Sequence, residues 1–319
     1  MSETIKLLFG VPQGSVLGPV LFNIYIRSLY NTVKELGFSI QGSAEDHQVY
    51  TSFPPDQQVD MLLIKIRECI MLIQKWMTSY CLQLNPSKTE IIILGPQRIL
   101  NIISLHGIQL TDAVCIRFAS STKSLGIYID QTLSFKEHII KLRQDCFRLI
   151  RNICKVRFLF TEDQLKSIVN SLIVCKLDYC NGLFYGIDER WIEELQRIQN
   201  AAGKAVYGLY KHDHVGNTLK NLHWLPVMQR IEYKVLLIVF KCLNGMGPQY
   251  LSQMLNYGNY GHSVSLVEPF MNTTMGERAF QKCAPMLWNS MPSSIKESST
   301  LQGFKTNLKT HLFGSAYNT

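Results

Sequence analysis

Three features of this 319-residue chain predict an α+β fold. Phe38 to Phe53 sets β-branched and aromatic residues around a polar centre, Gly42 to Gln48, which predicts a hairpin ended by Pro54-Pro55. Val59 to Tyr80 places Leu62, Leu63, Ile66, Ile70, Ile73, Met77 and Tyr80 on one face of a helix, with Lys65, Arg67, Gln74 and Lys75 opposite. From Phe135 onward helical periodicity dominates. The first part therefore reads as helices on an antiparallel sheet, and the rest as mostly α-helical.

The elements follow in order. Val16 to Leu29 reads as a buried helix, because Val16, Val20, Phe22, Ile24 and Ile26 cover most of its circumference; Pro12 and Gly14 punctuate its start. After the hairpin and the amphipathic helix, Asn85-Pro86 makes a turn before a strand at Ile91 to Leu94. Ser87-x-x-Glu90 has the spacing of a capping box, but the β-branched run behind it argues against a helix. Ile102 to Ile129 suggests two or three short strands. Helices are then expected at about 136–155, 162–180, 190–207 and 226–243, and near Leu301 to Phe313. Gly245 to Gly261 reads as loop.

Composition narrows the class. A hydrophobic fraction of 46% against 18% charged is that of a folded protein. No apolar run approaches the roughly 20 residues that span a bilayer; Val235 to Phe240 is closed by Lys234 and Lys241, and Glu3 and Lys6 break any signal-peptide pattern. No membrane association is expected. The nine cysteines are odd in number and include no C-x-x-C, which points to free thiols in a reducing, intracellular setting, cytoplasmic or nuclear. Cys175 and Cys180 with His212 and His214 fit no standard zinc spacing and read as helical core cysteines.

The net charge of +8 is unevenly placed. Residues through 100 hold eight basic and eight acidic side chains, leaving 24 basic against 16 acidic beyond. Lys141, Arg143, Arg148, Arg151, Lys155 and Arg157 are the densest run, opposed only by Asp145. Such a run either neutralises phosphates or serves as a solvated helix face.

The segment Gly10 to Ile26, GVPQGSVLGPVLFNIYI, resembles the motif that opens the palm helix of reverse transcriptases, in the form used by LINE-type (non-LTR) retrotransposons. Further segments resemble the same open reading frames in the same order. Leu84 to Glu90 is similar to the palm motif after the catalytic hairpin, and Leu125-Gly126-Ile127 with Leu133-Ser134-Phe135 and His138 to the primer-grip region. Leu177 to Asn181 and Leu195 to Ala202 are similar to thumb helices. Leu222 to Val227, Arg278-Ala279-Phe280 and Ala284 to Asn289 are similar to the C-terminal tail.

The resemblance implies a partial polymerase palm with primer-grip region at 1–135, a helical thumb at 136–210 and a C-terminal helical region at 211–319. It also implies RNA and DNA, as primer–template, for partners. It assigns Gln13, Gly14 and Ser15 to the nucleotide and template site, Lys88 to the leaving group, and the basic run of Lys141 to Arg157 to the nucleic-acid backbone.

Nucleotide addition by this family needs Mg²⁺ held by carboxylates from two strands. One Asp lies upstream of the opening motif, and two stand at a hairpin tip of sequence aromatic-Ala-Asp-Asp. Here the tip reads Ser43-Ala44-Glu45-Asp46, and Met1 to Phe9 contains only Glu3. Glu45 and Asp46 are therefore a degenerate catalytic pair, either with Asp46 as the remaining metal ligand or as a solvated turn that holds no metal, and little or no polymerase activity is expected. Mg²⁺ is the cofactor if the enzyme is active, and otherwise none is implied. Two alternatives stay open: a non-catalytic RNA- or DNA-binding protein that uses the basic thumb, and a decayed remnant without a selected role. No endonuclease constellation and no Cys/His zinc knuckle is visible. Trp224 and Trp288, beside Pro226 and Pro285, read as core anchors.

Overall fold

The computed structural model describes residues 14–44, 46–54, 59–101, 107–111, 114–210, 213, 216–258 and 265–317. The chain forms two compact units, Met1–Ile93 with Arg98–Ala119, and Leu94–Gln97 with Ser120–Thr319.

The first unit opens with helix α1 (Gly18–Glu35), followed by β1 (Ser39–Ser43) and β2 (Asp46–Tyr50). α1 ends where Gly37 adopts φ +80°, which lets Gly37 N–H reach Lys34 O and Phe38 N–H reach Val33 O. This reversal delivers the chain into β1, which pairs antiparallel with β2 from Ser39↔Tyr50 to Ser43↔Asp46. Helix α2 (Val59–Ser79) closes a small core in which Ile26, Leu29 and Val33 of α1 meet Phe38, Ile40, Cys69 and Trp76. Trp76 donates its indole N–H to Ser28 Oγ at 3.1 Å, and Tyr80 stacks on its ring at 4.4 Å. After the short helix α3 (Gln97–Leu100), β3 (Ile108–Thr111) and β4 (Val114–Ile116) pair antiparallel. Their Ile108, Leu110 and Ile116 pack under Leu63, Ile66 and Ile70 of α2.

Two expectations for this unit are corrected. α1 is not buried all round: Val16 is 92% and Ile24 67% exposed, and Val20 is also exposed. The buried stripe Ile26, Leu29 and Val33, flanked by Phe22, Tyr25 and Tyr30, meets the hairpin and α2, and Val20 and Ile24 are left exposed. Ile91 to Leu94 is not a strand. Ile91 alone bridges Phe118, and beyond it Gly95 sends its N–H to Gln131 O in the second unit.

The second unit begins with hairpin β5 (Ser121–Ser124) and β6 (Ile127–Asp130). Its two-residue turn, Leu125-Gly126, has φ of 45° and 87°, and the second position suits glycine. Helix α4 (Lys136–Val156) follows. α5 (Glu162–Val169) starts at a capping box between Thr161 and Gln164, and a π-helical turn, Asn170–Val174, carries it into α6 (Cys175–Asp178). α7 (Glu189–Tyr207) is capped by Asp188 at its start and ends at Gly208 in the left-handed region. Ile139, Cys146, Ile150 and Ile153 of α4 pack with Leu195, Ile198, Ala202 and Val206 of α7 in one core.

A second core gathers the C-terminal helices. After α8 (Gly216–Asn221) come α9 (Val227–Leu243), α10 (Gln249–Ser252), the short pair β7 (Tyr257–Gly258) and β8 (Ser265–Leu266), α11 (Thr274–Arg278), α12 (Phe280–Ser290), α13 (Ser293–Lys296) and α14 (Leu301–Tyr317). Phe240 stacks on Phe304 at 4.1 Å, with Trp288 beside it at 6.1 Å. Trp224 and Trp288 are both buried, as core anchors. Cys175 and Cys180 are not core cysteines: both are exposed, and Cys180 sits in a left-handed turn at φ 53°.

Candidate functional site

The β1–β2 hairpin presents the degenerate motif at its tip. Ser43 and Asp46 are register partners at the end of the ladder, and Ala44 leads into the turn. Ala44 has φ 53°, a conformation costing an L-residue on the order of 1 kcal/mol. Ser43, Ala44 and Asp46 are exposed; Glu45 lies outside the described residues. His47 is better anchored than its neighbours, its ring lying 5.8 Å edge-on to Tyr30 and 6.5 Å from Phe22 of α1. Gly42 lies beneath Tyr30, and a β-carbon there would force the phenol oxygen to shift. The hairpin is thus held against α1 by Ile40 and Gly42 of its first strand and His47 of its second, while its tip stands in solvent.

Gln13 lies outside the described residues. Gly14 has φ +87°, a glycine conformation at the entry to α1 with open space around it. Ser15 O accepts Gly18 N–H at 3.2 Å, and no side chain caps the helix start. Lys88 is exposed on a turn organised by Asn85, whose Oδ1 accepts Ser87 N–H at 3.1 Å and the Ser87 hydroxyl at 2.7 Å. A two-metal site needs several carboxylates around the ions. No group of three or more His, Cys, Asp or Glu able to hold a metal occurs among the described residues. Asp46 is the one described carboxylate of the hairpin tip.

The six cations of 141–157 are divided by the fold. Lys141 pairs with Glu137 at 2.6 Å and lies 3.4 Å over the Tyr128 ring. Their shared hydrogen bond raises the Lys141 pKa and lowers that of Glu137. Arg143 reaches Glu194 of α7 at 2.9 Å. Arg157 donates to the carbonyls of Ala205 and Val206 at 3.1 and 3.3 Å, satisfying the end of α7. Arg148, Arg151 and Lys155 lie at i, i+3 and i+7 on one exposed stripe of α4, with Asp145 2.9 Å from Arg148.

One organising residue, Asp130, was not singled out in the sequence, whereas Arg278, Tyr179 and His138 stand within the motifs named above. Asp130 at the end of β6 accepts the N–H groups of Thr132, Ser134 and Phe135 and the hydroxyls of Thr132 and Ser134. Burial alone would raise its pKa, but these bonds outweigh burial and lower it. Arg278 extends the same loop, donating to Leu133 O at 2.7 Å and Tyr185 O at 3.4 Å. Tyr179 donates to Leu125 O at 2.6 Å, which ties the turn of the β5–β6 hairpin to the end of α6. His138 is buried with its ring 5.7 Å from Phe184, and burial lowers its pKa. Asp130 followed by Gln-Thr-Leu-Ser-Phe is a loop-capping signal that local spacing alone could have exposed.

Residues 2–129 match the family described as reverse transcriptase (RNA-dependent DNA polymerase). The RNA-directed DNA polymerase from mobile element jockey of Drosophila funebris is 26% identical over 186 residues, which is 56% of this chain and 19% of that protein. The probable RNA-directed DNA polymerase from transposon X-element of Drosophila melanogaster is 24% identical over 208 residues, 62% of this chain and 22% of that one. The Pol polyprotein from the type-1 retrotransposable element R1 of Bradysia coprophila is 24% identical over 144 residues, 44% of this chain and 13% of that one. No solved structure matches. The chain spans about a fifth of the length of the jockey and X-element relatives. No described helix is long and apolar enough to cross a membrane. Over residues 2–129 the chain is thus similar to reverse-transcriptase domains, and the relatives it resembles at modest identity are RNA-directed DNA polymerases and Pol polyproteins of mobile elements.

Proposed function

We propose that this chain is a reverse-transcriptase-domain protein that does not polymerise DNA. In this reading residues 1–135 are what is present of a palm, 136–210 a thumb and 211–319 the tail. The hairpin tip is the observation behind it. Ser43 cannot supply the aromatic surface that the family sets beside a primer end. Glu45 extends its carboxylate one methylene further than Asp, and displacements of about 1 Å in a reactive array cost on the order of 10²-fold. Asp46 is exposed, and no group of three or more His, Cys, Asp or Glu able to hold a metal occurs among the described residues. Gly14, Ser15 and Lys88 then keep the local turns that the motif encodes without a metal-bound substrate to act on, and Mg²⁺ is not required.

Primer extension tests this. Full-length protein with an RNA template, a DNA primer, nucleotides and Mg²⁺ or Mn²⁺ is expected to give no product above an Asp46→Ala control. Product that Asp46→Ala abolishes would overturn the proposal.

The stripe Arg148, Arg151 and Lys155 favours a second reading in which α4 binds the phosphate backbone of RNA or DNA. Such binding is sequence-independent and weakens with salt as counterions return. Lys141, Arg143 and Arg157 contribute less to it, since each already has a partner within the second unit.

A further inference from the structure

A cleft of about 520 Å³ opens among α5, α6, α9 and α14 of the second unit, at the point where the Leu177-to-Asn181 and Leu222-to-Val227 segments meet. Its polar lining consists chiefly of Lys166, Lys234, Lys309, Arg230, Asp178 and Asn181. Arg230 is committed to Asp178: its Nε lies 2.8 Å from Oδ1, and its Nη2 bonds Oδ2. The pair is close to neutral. The three lysines are not committed, since none forms an ion pair among the described residues. Among the described residues the cleft therefore carries three positive charges without a counter-ion.

Asn181 adds an independent observation. It is 3% exposed, and its Oδ1 is buried with no hydrogen-bond partner. Its amide nitrogen donates to Asp178 Oδ1 and Arg230 O at 3.5 and 3.4 Å. Turning the amide over would set its oxygen against these two acceptors, so the unpartnered oxygen is fixed by its surroundings. A buried acceptor without a partner costs about 1–3 kcal/mol until a donor arrives. Leu222 and Trp224 complete the cleft with apolar surface.

We propose that this cleft binds a nucleoside phosphate. The phosphate oxygens meet the ammonium groups of Lys166, Lys234 and Lys309, and a base amino group or sugar hydroxyl donates to Asn181 Oδ1. The volume falls within the range of small-ligand sites, roughly 300–1,000 Å³. A bare phosphate would leave Asn181 unsatisfied, and an uncharged nucleoside would leave the lysines without anions.

Calorimetric titration of the full chain with ATP, inorganic tripolyphosphate and adenosine tests the site. ATP is expected to bind more tightly than either fragment. Replacing Lys166 and Lys309 together with Gln should weaken ATP by about fivefold or more and leave the melting temperature unchanged. Reversing Arg148 and Arg151 to Glu should leave ATP binding unchanged, which separates this cleft from the α4 stripe. Competition by a 5′-phosphorylated oligonucleotide would identify a strand end as the source of the nucleotide; its absence would identify a free nucleotide. Failure of ATP to bind at millimolar concentration, equal affinity for tripolyphosphate, or indifference to the lysine replacements would overturn the proposal.

Discussion

Asp130 Oδ2 accepts the backbone N–H of Phe135 at 2.6 Å, across a loop in which Phe135 itself holds φ 56°. Leu133 is also left-handed, at φ 53°, so two non-glycine residues in three positions adopt a costly backbone. The carboxylate compensates by gathering the exposed donors of Thr132, Ser134 and Phe135 and launching α4 from Phe135. Phe135 and Ile139 then enter the core of the second unit. Asp130→Ala is expected to remove this hub and destabilise the second unit by about 2–3 kcal/mol, since hydrogen bonds to a charged acceptor are worth roughly 1.5–3 kcal/mol. Thermal unfolding monitored by circular dichroism checks it; an unchanged midpoint would show that the loop is held by Arg278 alone.

The same residue predicts a pH dependence. Its folded pKa is lowered, so its contribution is present above the unfolded carboxylate value, about 3.9, and is lost as pH falls through the folded value. The stability gap between the natural chain and Asp130→Asn should be full at neutral pH and shrink on acidification below about 4. Urea titrations at several pH values would show this. A gap that grew toward acid would mean the carboxylate is protonated in the fold.

The cysteines divide sharply. Burial pushes the thiols of Cys69, Cys146 and Cys283 up to about 11, and that of Cys242 upward as well. Cys81, Cys115, Cys154, Cys175 and Cys180 are exposed. A thiol reagent at neutral pH should modify five cysteines quickly in the native protein and all nine after denaturation. Rapid modification of Cys146 would contradict its place between α4 and α7.

Asp178 and Arg230 form a half-buried pair on which the cleft depends, with side-chain exposures of 38% and 17%. Removing one member leaves a charge with no partner, so Asp178→Ala or Arg230→Ala alone should cost more than Asp178→Asn with Arg230→Met together. A double-mutant cycle read by chemical denaturation gives the coupling. Additive single effects would mean that each residue acts through other neighbours, Asn181 to Asp178 Oδ1 among them.

Much of the helical part was legible because its apolar spacing is regular. The stretches expected at 136–155, 190–207 and 226–243 correspond to α4, α7 and α9 within two residues at each end. The 162–180 stretch was right in extent but hid a π-turn, since a widened turn leaves no mark in hydrophobic spacing. Ile91 to Leu94 misled because β-branched residues favour extended backbone whether or not a partner strand exists. The exposed faces of α1 misled because a sequence reports how apolar a helix is without reporting what covers it. At the candidate site, the motifs located the hairpin and the cations of α4. They could not show that Arg143 and Arg157 are spent on α7, because those partners lie 51 and 48 residues away in sequence.

That division among the cations yields the sharpest functional prediction. Arg157 bonds two carbonyls at the end of α7 beside Gly208, so Arg157→Ala should lower stability by about 1–2 kcal/mol. At roughly 2–4 °C per kcal/mol for a unit of this size, the midpoint should fall by several degrees. Arg151 and Lys155 are exposed on α4, and reversing both to Glu should leave the midpoint nearly unchanged, as surface substitutions do. If α4 tracks a phosphate backbone, the same double reversal should weaken binding to an RNA–DNA duplex and flatten its dependence on salt, by nearly one in logarithmic slope for each phosphate that the helix no longer neutralises. Filter binding at two salt concentrations measures both quantities. Binding and slope that survive the reversal would remove α4 from nucleic-acid recognition and leave its cations as a solvated surface.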